Sequence, residues 1–380
     1  MLGSSSAARP GRRPLRARSL VPILALAWLL TAAPGSLLAA GAVEEREQAG
    51  VSHSGQFEQL YRQGLEALQQ DQLETARAAF EGAVALAPDS ARAHFQLAQV
   101  LALQRRFDLA QRHLQRSLEI NPRDPQAHYL RSVMLTELGE HYPAAGEISR
   151  AIELDAGQAR FRHQLGAILR RQMRHAEAAD AFAEAARLDP HNPLFAFEEG
   201  VSHFTQRQHA RALSAFRRAE ALRPQWVKLQ NYIGSCHRTR GDWEEATRAF
   251  AAAIRIEPDN ADSHFGLGAV ALGRGDLESA ERHLERAAAL APQNPHIHYR
   301  LGKLRMLQER TLEAASELER AVALKPIFPK AHYNLALLYH RLGRAEKAQQ
   351  EQDLYRRQQD AVRGRRPKSG ANFTLPQDEE

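Results

Sequence analysis

One pattern of residues returns every 34 positions along most of this sequence, without insertion or deletion. In the clearest copy, residues 227–260, the dipeptide Gly241-Asp242 separates two apolar runs and Pro258 follows the second run. Glycine ends a helix in the left-handed conformation without strain, and proline cannot continue a helix. Each copy is therefore predicted to be a helix–turn–helix unit. Such a unit cannot bury its apolar faces alone, so the copies must stack on one another.

Three positions of the pattern keep one kind of residue, counting Val227 as position 1. Position 8 is small, and small residues there and at position 20 let two helices approach closely. Position 20 is alanine in every copy: Ala76, Ala110, Ala144, Ala178, Ala212, Ala246, Ala280, Ala314 and Ala348. Position 32 is proline at Pro88, Pro122, Pro190, Pro224, Pro258, Pro292 and Pro326, with Ala156 as the exception. The pattern predicts an all-α chain.

These residues resemble the signature of the tetratricopeptide repeat family: a small residue at position 8, alanine at 20 and proline at 32. The resemblance covers residues 57–362, or nine units, and implies a right-handed α-solenoid of stacked helix–turn–helix repeats. It also implies a concave groove that binds a protein or peptide partner. The chain departs from the family where a large aromatic residue is usual at position 4. Histidine stands there at His94, His128, His264, His298 and His332.

The first 42 residues are of another kind. They hold five arginines and no acid, an apolar run at 20–33, and the small-residue site Ala40-Gly41-Ala42 before Val43. This layout is typical of a secretory signal peptide. An uncleaved membrane anchor stays open, because residues 19–43 carry no charge and are long enough to span a bilayer. The single cysteine, Cys236, excludes an intrachain disulfide. Export without disulfides favours the bacterial periplasm, with an inner-membrane-anchored chain facing the periplasm as the alternative.

Charge outside this segment is nearly balanced. The first 42 residues contain five of the 51 basic residues and none of the 45 acidic ones, so the rest of the chain gives no reason to expect nucleic acid. Residues 43–56 form a polar lead-in. Residues 363–380 are charged and contain proline and glycine, and we expect them to be disordered.

No catalytic constellation, metal site or cofactor motif is apparent. The histidines at position 4 lie in different units, whereas a zinc site needs several ligands at one point. They are therefore interpreted as one partly buried histidine per repeat interface. Cys236 is interpreted as a small buried hydrophobe. Glu199 replaces an aliphatic residue, and His203, four residues on, lies on the same helix face as its expected partner.

The partner groove is predicted from the family, in which positions 2, 5, 6, 9, 12 and 13 of the first helices line it. In this sequence those positions hold eleven Lys or Arg and four acids. A solvated face has no need to be one-signed, so we predict an extended acidic partner segment with an apolar anchor, gripped mainly by units four to six. The predicted groove residues are Arg160, His163, Arg170, Arg171, Phe197, Val201, Phe204, Lys228, Asn231, Arg238, Tyr299, Arg300, Lys303, Lys330, Tyr333 and Asn334.

Two classes of function fit this pattern. The first is a non-enzymatic protein–protein interaction scaffold in the cell envelope, which contacts the membrane only if the N-terminal segment stays uncleaved. The second is a regulatory or substrate-recruiting arm for an enzyme, such as a glycosyltransferase or a cell-wall enzyme. Only about 18 residues follow the last repeat, fewer than a catalytic domain needs, so that enzyme is expected on a separate chain. We favour the scaffold.

Overall fold

The computed structural model describes residues 47–364, with side chains for residues 54–361. Within that range the regular structure is entirely helical, as predicted. The helices are α1 (Glu47–Gln69), α2 (Leu73–Leu86), α3 (Ala91–Leu103), α4 (Phe107–Ile120), α5 (Pro125–Leu138), α6 (His141–Leu154), α7 (Ala159–Arg171), α8 (His175–Leu188), α9 (Pro193–Thr205), α10 (His209–Leu222), α11 (Val227–Arg240), α12 (Trp243–Ile256), α13 (Ala261–Gly273), α14 (Leu277–Leu290), α15 (Pro295–Leu307), α16 (Thr311–Leu324), α17 (Pro329–Arg341) and α18 (Ala345–Gly364).

The helices form two compact units, α1–α8 and α9–α18. Within each unit consecutive helices pair, and the second helix of one pair packs on the first helix of the next. The predicted signal peptide, residues 1–42, lies outside the described residues, as does the predicted tail from residue 365 onward. The predicted lead-in is helical from Glu47, so α1 begins ten residues before the first predicted repeat.

Close packing inside each pair depends on the small residues of the pattern. All nine alanines of position 20 have no exposed surface. Where position 8 is glycine it faces the side chain of position 24 in the second helix, and a Cβ added at Gly166 would lie 2.7 Å from Cε1 of Phe182. A larger residue at such a glycine therefore separates the two helices or displaces the facing side chain.

The turn inside each repeat uses a residue with positive φ at position 15. Four of these residues are glycines, including Gly241 with φ of 81°. The other five are Asp71, Arg105, Met173, Arg207 and Glu309, with φ between 58° and 63°. A left-handed conformation is costly for residues with a side chain, so the turn geometry is kept even where the sequence does not favour it.

The histidines of position 4 connect successive repeats. The Nε2 atom of His94 lies 2.9 Å from the carbonyl oxygen of Pro88, which closes the preceding repeat, and the Nδ1 atom faces His113 of α4 at 3.0 Å. His264 repeats this arrangement with Pro258 and His283. At the other three sites a glutamate replaces the second histidine: His128–Glu147, His298–Glu317 and His332–Glu351. The prediction of one histidine per repeat interface is confirmed.

Two further properties bear on function. Among residues 47–364 no group of three or more His, Cys, Asp or Glu side chains is placed to hold a metal ion. In the same range no helix combines the length and the apolar character needed to cross a bilayer.

Candidate functional site

The structure divides the predicted groove residues between the two compact units. Arg160, His163, Arg170 and Arg171 lie on α7 of the first unit. The other twelve lie on α9, α11, α15 and α17 of the second unit. We describe the two sets separately.

Three of the four side chains on α7 contact aromatic rings. The guanidinium carbon of Arg160 lies 5.4 Å from the centre of the Tyr129 ring, and that of Arg170 lies 5.5 Å from the Phe182 ring. The His163 ring also packs on Phe182, at 5.4 Å between ring centres. Burial, and secondarily the Arg170 charge, lower the pKa of His163 to about 4. His163 is therefore neutral near pH 7, and the positive charge of this face comes from its arginines.

Arg171 differs from its neighbours because it is exposed. Its guanidinium lies 4.0 Å from the carboxylate of Glu137, at the limit of an ion pair. At this distance, and with the arginine exposed, the pair contributes little to stability, although the Glu137 carboxylate is itself largely buried.

A repeated cation–aromatic contact explains part of the positive charge. A cation at position 2 stacks on the ring at position 5 of the preceding repeat. The pairs are Arg92 over Tyr61 at 4.9 Å, Arg160 over Tyr129 at 5.4 Å and Lys228 over Phe197 at 5.4 Å. These cations join adjacent first helices, in addition to any role toward a partner. The sequence carries the signal as an aromatic residue followed 31 positions later by a cation.

In the second unit a cavity of about 730 Å³ opens on the predicted groove positions. Its walls come from α9, α11 and α13, together with α12 and the connection before α11. The lining residues are Phe204, Arg223, Gln225, Trp226, Val227, Lys228, Asn231, Tyr232, Ser235, Arg238, Phe250, Glu257, Asn260, Asp262, Phe265 and Gly266. Four of the predicted groove residues, Phe204, Lys228, Asn231 and Arg238, are thus brought together.

The apolar wall of the cavity differs from the prediction. Phe197 is only 2 % exposed, because its ring lies against Trp226 at 4.5 Å and Tyr232 at 5.5 Å. It supports the wall from within and does not present its ring to a partner. Val201 is half-buried in the same apolar cluster. The rings that line the cavity are those of the predicted Phe204 and of four residues that were not predicted: Trp226, Tyr232, Phe250 and Phe265. Phe204 and Tyr232 are in edge contact at 5.4 Å.

Charge at the cavity is arranged in two groups. Lys228, Arg223 and Arg238 supply cations, and Arg223 stacks on the Trp226 ring at 5.1 Å. Glu257 and Asp262 supply acids from the α12–α13 side. The cavity is therefore polarised and not uniformly basic. Its cations stand on α11 and on the connection just before it.

The amide of Asn231 is held by hydrogen bonds. Its Nδ2 atom donates to Oδ1 of Asn260 at 3.1 Å, and its Oδ1 atom lies 2.8 Å from Oγ of Ser263. Asn260 also caps α13 by accepting a hydrogen bond from the backbone N–H of Ser263. This network fixes the amide at the cavity wall, where position 5 is aromatic in most other repeats.

Gly266 was not singled out from the sequence, although it lines the cavity. A Cβ atom there would overlap the ring of Phe250, which also meets Gly234 of α11. The ring is therefore held between two glycines, and it lines the cavity as well. Gly266 thus makes room for the Phe250 ring, while Asn231 places a smaller side chain at the cavity wall than the aromatic residue usual at position 5.

A second set of predicted residues lies on α15 and α17. Tyr299 packs on Phe328 at 4.9 Å between ring centres, and burial raises the pKa of its hydroxyl, which bonds to the amide of Asn334. Arg300 and Lys303 lie half-exposed on α15, and Lys330 is exposed on α17. Tyr333 is 48 % exposed and lies 5.4 Å from Tyr355 of α18. We call this surface the α15/α17 face.

Two charged residues on first helices, Glu199 and Arg305, form ion pairs inside the chain. Glu199 pairs with Arg218 of α10, whereas His203 bonds to Gln208 at 3.0 Å, so the expected Glu199–His203 pair is wrong. A residue 19 positions away on the packed helix is closer than one a helical turn away. Arg305, 7 % exposed, pairs with Glu281, among other carboxylates. The hydrogen bond from Arg305, followed by one from Gln308, lowers the pKa of Glu281 to about 2. Neither charge faces the cavity.

Cys236 is fully buried, as predicted, and burial raises the pKa of its thiol to about 12. The thiol is therefore protonated and shielded, and it offers neither a nucleophile nor a metal ligand.

Family models described as tetratricopeptide repeat match residues 67–134, 163–226, 233–295 and 317–350, which together form more than half of the chain. Residues 135–162 and 296–316 lie between matches, so the count of nine repeats stays a prediction. No curated protein matches this sequence significantly.

Several solved structures share the fold. PilF of Pseudomonas aeruginosa is 20 % identical and has a TM-score of 0.50, over 56 % of this chain and 96 % of that chain. YrrB, a repeat protein with an unusual peptide-binding site, is 24 % identical over 47 % and 92 %, with a TM-score of 0.43. A repeat protein of Parabacteroides merdae is 13 % identical over 75 % and 99 %, with a TM-score of 0.47. At these identities the similarity concerns the fold alone.

Proposed function

We propose that this chain, which belongs to the tetratricopeptide repeat family, is a non-enzymatic scaffold that binds an extended acidic segment of a partner protein. Proteins of this family act as protein-interaction scaffolds, and no catalytic family matches the chain. The proposed segment carries an apolar anchor residue beside its acidic groups.

The observation that carries this proposal is the cavity on α9, α11 and α13. Its volume of about 730 Å³ accommodates an anchoring side chain and the backbone beside it. Phe204, Trp226 and Tyr232 offer rigid aromatic surface, and such surface provides much of the binding energy at interfaces. Lys228 and Arg238 stand next to these rings and match acidic groups flanking the anchor.

The charge of the inner positions supports the same partner chemistry. The first helices carry eleven cations and four acids there, in a chain that is otherwise nearly balanced outside its first 42 residues. The basic residues Arg160, Arg170 and Arg171 of α7 extend this charge within the first unit. An acidic segment is therefore steered toward these surfaces, and the attraction weakens as salt screens it.

We place the scaffold in the cell envelope, exported to the periplasm after cleavage before Val43. An uncleaved chain held at the inner membrane is the alternative. The basic start, the apolar run and Ala40-Gly41-Ala42 support export. N-terminal sequencing of the chain recovered from the envelope fraction gives Val43 as its first residue if this is correct. An intact Met1, or a chain that stays in the cytosol, contradicts it.

Binding of defined peptides tests the partner chemistry. A labelled glutamate-rich peptide with one central phenylalanine is titrated with the chain, beside the same peptide with lysine for glutamate. We expect the acidic peptide alone to bind, and to lose affinity between about 50 mM and about 500 mM salt. Substituting Lys228→Gln and Arg238→Gln together, or Arg170→Glu and Arg171→Glu together, weakens that binding.

Arg255→Glu is the matched control, because Arg255 is exposed on α12 and does not line the cavity. Thermal unfolding of each variant separates lost binding from lost structure, since Lys228 also stacks on Phe197. Affinity unchanged in both double variants and indifferent to salt overturns the proposal.

A further inference from the structure

The α15/α17 face combines exposed apolar side chains with cations. Leu307, Tyr333 and Leu337 are 57 %, 48 % and 40 % exposed. The cations of the same positions are Arg300, Lys303, Lys330 and Arg341. The six inner positions of α15 and of α17 contain no aspartate or glutamate, unlike those of α13, which include Asp262. Residues spaced by three, four and seven share one side of a helix, so these groups form a continuous surface on each helix.

The chain itself contains a segment of matching chemistry. Residues 371–380 read ANFTLPQDEE, with the apolar residues Phe373 and Leu375 followed by Asp378, Glu379 and Glu380. The segment has no lysine or arginine. It is thus an acidic segment with an apolar anchor, the same chemistry that the inner positions of the first helices favour. Residues 371–380 lie outside the described part of the chain.

The course of α18 brings this segment within reach of the face. α18 returns along α17, and Nε2 of Gln358 donates to the carbonyl oxygen of Pro326 at 2.8 Å, just before α17 begins. Tyr355 of α18 lies against Tyr333 of the face. From Gln358 the helix continues for six residues to Gly364, so the described chain ends about 9 Å past the connection that precedes α17.

Chain length allows the segment to cover the face. Residues 365–370 extend over at most about 20 Å, at 3.3–3.6 Å per residue. That length is about the same as the 13-residue helix α17 at 1.5 Å per residue. Residues 365–370 can therefore return to the amino-terminal end of α17, and residues 371–380 can lie along the helix from there.

We propose that residues 371–380 bind the α15/α17 face of their own chain and keep other acidic segments off that face. Phe373 and Leu375 cover the exposed surface of Leu307, Tyr333 and Leu337, and the three acids meet the cations of the face. Binding within one chain is favoured over exchange between copies, because a short tether gives an effective concentration in the millimolar range. The cavity on α11 and α13 remains open to a partner.

The inference shares the ligand chemistry of the proposed function but uses a different surface. Its test therefore contains no partner protein: the probe is a labelled synthetic peptide with the sequence of residues 371–380. The peptide is titrated into the full chain and into a chain that ends at Gly370, which keeps every described contact. We expect binding to the shortened chain, and affinity for the full chain reduced by roughly tenfold or more through competition by the tethered segment.

Variants of the shortened chain locate the site. Arg300→Glu and Lys330→Glu together should weaken peptide binding, as should Phe373→Ala and Leu375→Ala in the peptide. Arg320→Glu on α16 is the control, a reversal of one charge on an exposed second-helix residue. The cavity pair Lys228→Gln and Arg238→Gln should leave peptide binding unchanged, which separates this result from the test of the proposed function.

Three outcomes overturn the inference. They are no binding to the shortened chain, equal affinity for the shortened and full chains, and binding that the Arg300→Glu and Lys330→Glu pair does not affect. Light scattering tests whether the segment binds another copy instead. If the full chain associates as its concentration rises and the shortened chain does not, binding within one chain is contradicted. If the glutamate-rich peptide does not bind the cavity, the proposed function fails, but these three outcomes still decide whether residues 371–380 bind the α15/α17 face.

Discussion

The histidines of position 4 show how one side chain is used differently in similar repeats. In each, Nε2 donates to the proline carbonyl, so a neutral ring has Nδ1 as an acceptor. Opposite Glu351, Nδ1 of His332 needs its own proton, and the hydrogen bond to this carboxylate raises the pKa of His332. Opposite a second histidine, one proton between the two Nδ1 atoms completes the hydrogen bond, so both rings can stay neutral. Burial, then the partner's charge, lower the pKa of His113 and of His283.

These opposite shifts predict opposite responses to pH. His113 and His283 have pKa values below the ordinary 6.5, so the folded state binds fewer protons and loses stability as the pH falls below that value. His332 has a raised pKa, so its contribution is complete below 6.5 and is lost as the pH rises through the folded pKa. As the pH falls from about 7.5 to about 5.5, hydrogen-exchange protection factors should fall in α3–α4 and α13–α14 and rise in α17–α18.

The variant His113→Glu is the matched test, because it copies the His–Glu pair of the neighbouring repeats. It should remove the acid sensitivity of α3–α4 and leave that of α13–α14 intact. Equal responses of both regions in this variant, or a uniform response along the wild-type chain, contradict the assignment.

At the scale of helices and turns, the 34-residue period predicted most of what the structure shows. Two helices can approach closely only where positions 8 and 20 are small, so the periodicity of these residues was enough to predict the helix pairs. Partners of charged residues were harder to predict. Glu199 meets Arg218 across a helix pair, and such a contact depends on side-chain direction and not on spacing along one helix. Phe197 was misplaced for a similar reason, since Trp226 of the next connection covers its ring.

The cavity arises where the sequence departs from its own repeat. Asn231 is smaller than the aromatic residue at position 5 of most other repeats, and Gly266 makes room for the Phe250 ring; all three residues line the cavity. The sequence does show the smaller side chain at position 5. It does not show that the Phe250 ring lies between glycines of two different repeats, because that arrangement appears only when the repeats are stacked.

The turn at position 15 gives a prediction for one exposed residue. Met173 is 73 % exposed and has φ of 63°, so its side chain gains little from packing while its backbone is strained. Met173→Gly should stabilise the chain by about 0.5–1 kcal/mol, because relief of the left-handed strain exceeds the entropy that glycine loses on folding. Met173→Ala keeps the strain and serves as the control. Urea denaturation gives the free energies, and a destabilised glycine variant contradicts this view of the turn.

At the scale of the whole chain, stacked repeats hold one another by contacts between neighbours, so damage should stay local. Ala212 has no exposed surface between α9 and α10. Replacing it with leucine overpacks that pair and should cost about 1–3 kcal/mol. Hydrogen exchange should then rise in α9–α12 and change little in α1–α2 and α17–α18. An equal loss of protection along the whole chain contradicts an array held by nearest neighbours.

The central claim is that an acidic segment binds on the first helices at the α9, α11 and α13 cavity. Photo-crosslinking tests it most directly, with an acidic peptide whose single apolar residue is replaced by benzoylphenylalanine. Mass spectrometry of the crosslinked full chain should place the label on residues that line the cavity, including Phe204, Tyr232 and Phe265. The yield should fall in the Lys228→Gln and Arg238→Gln pair. Labels found mainly on the second helices α10, α14 and α16, with a yield that this pair does not change, contradict the claim.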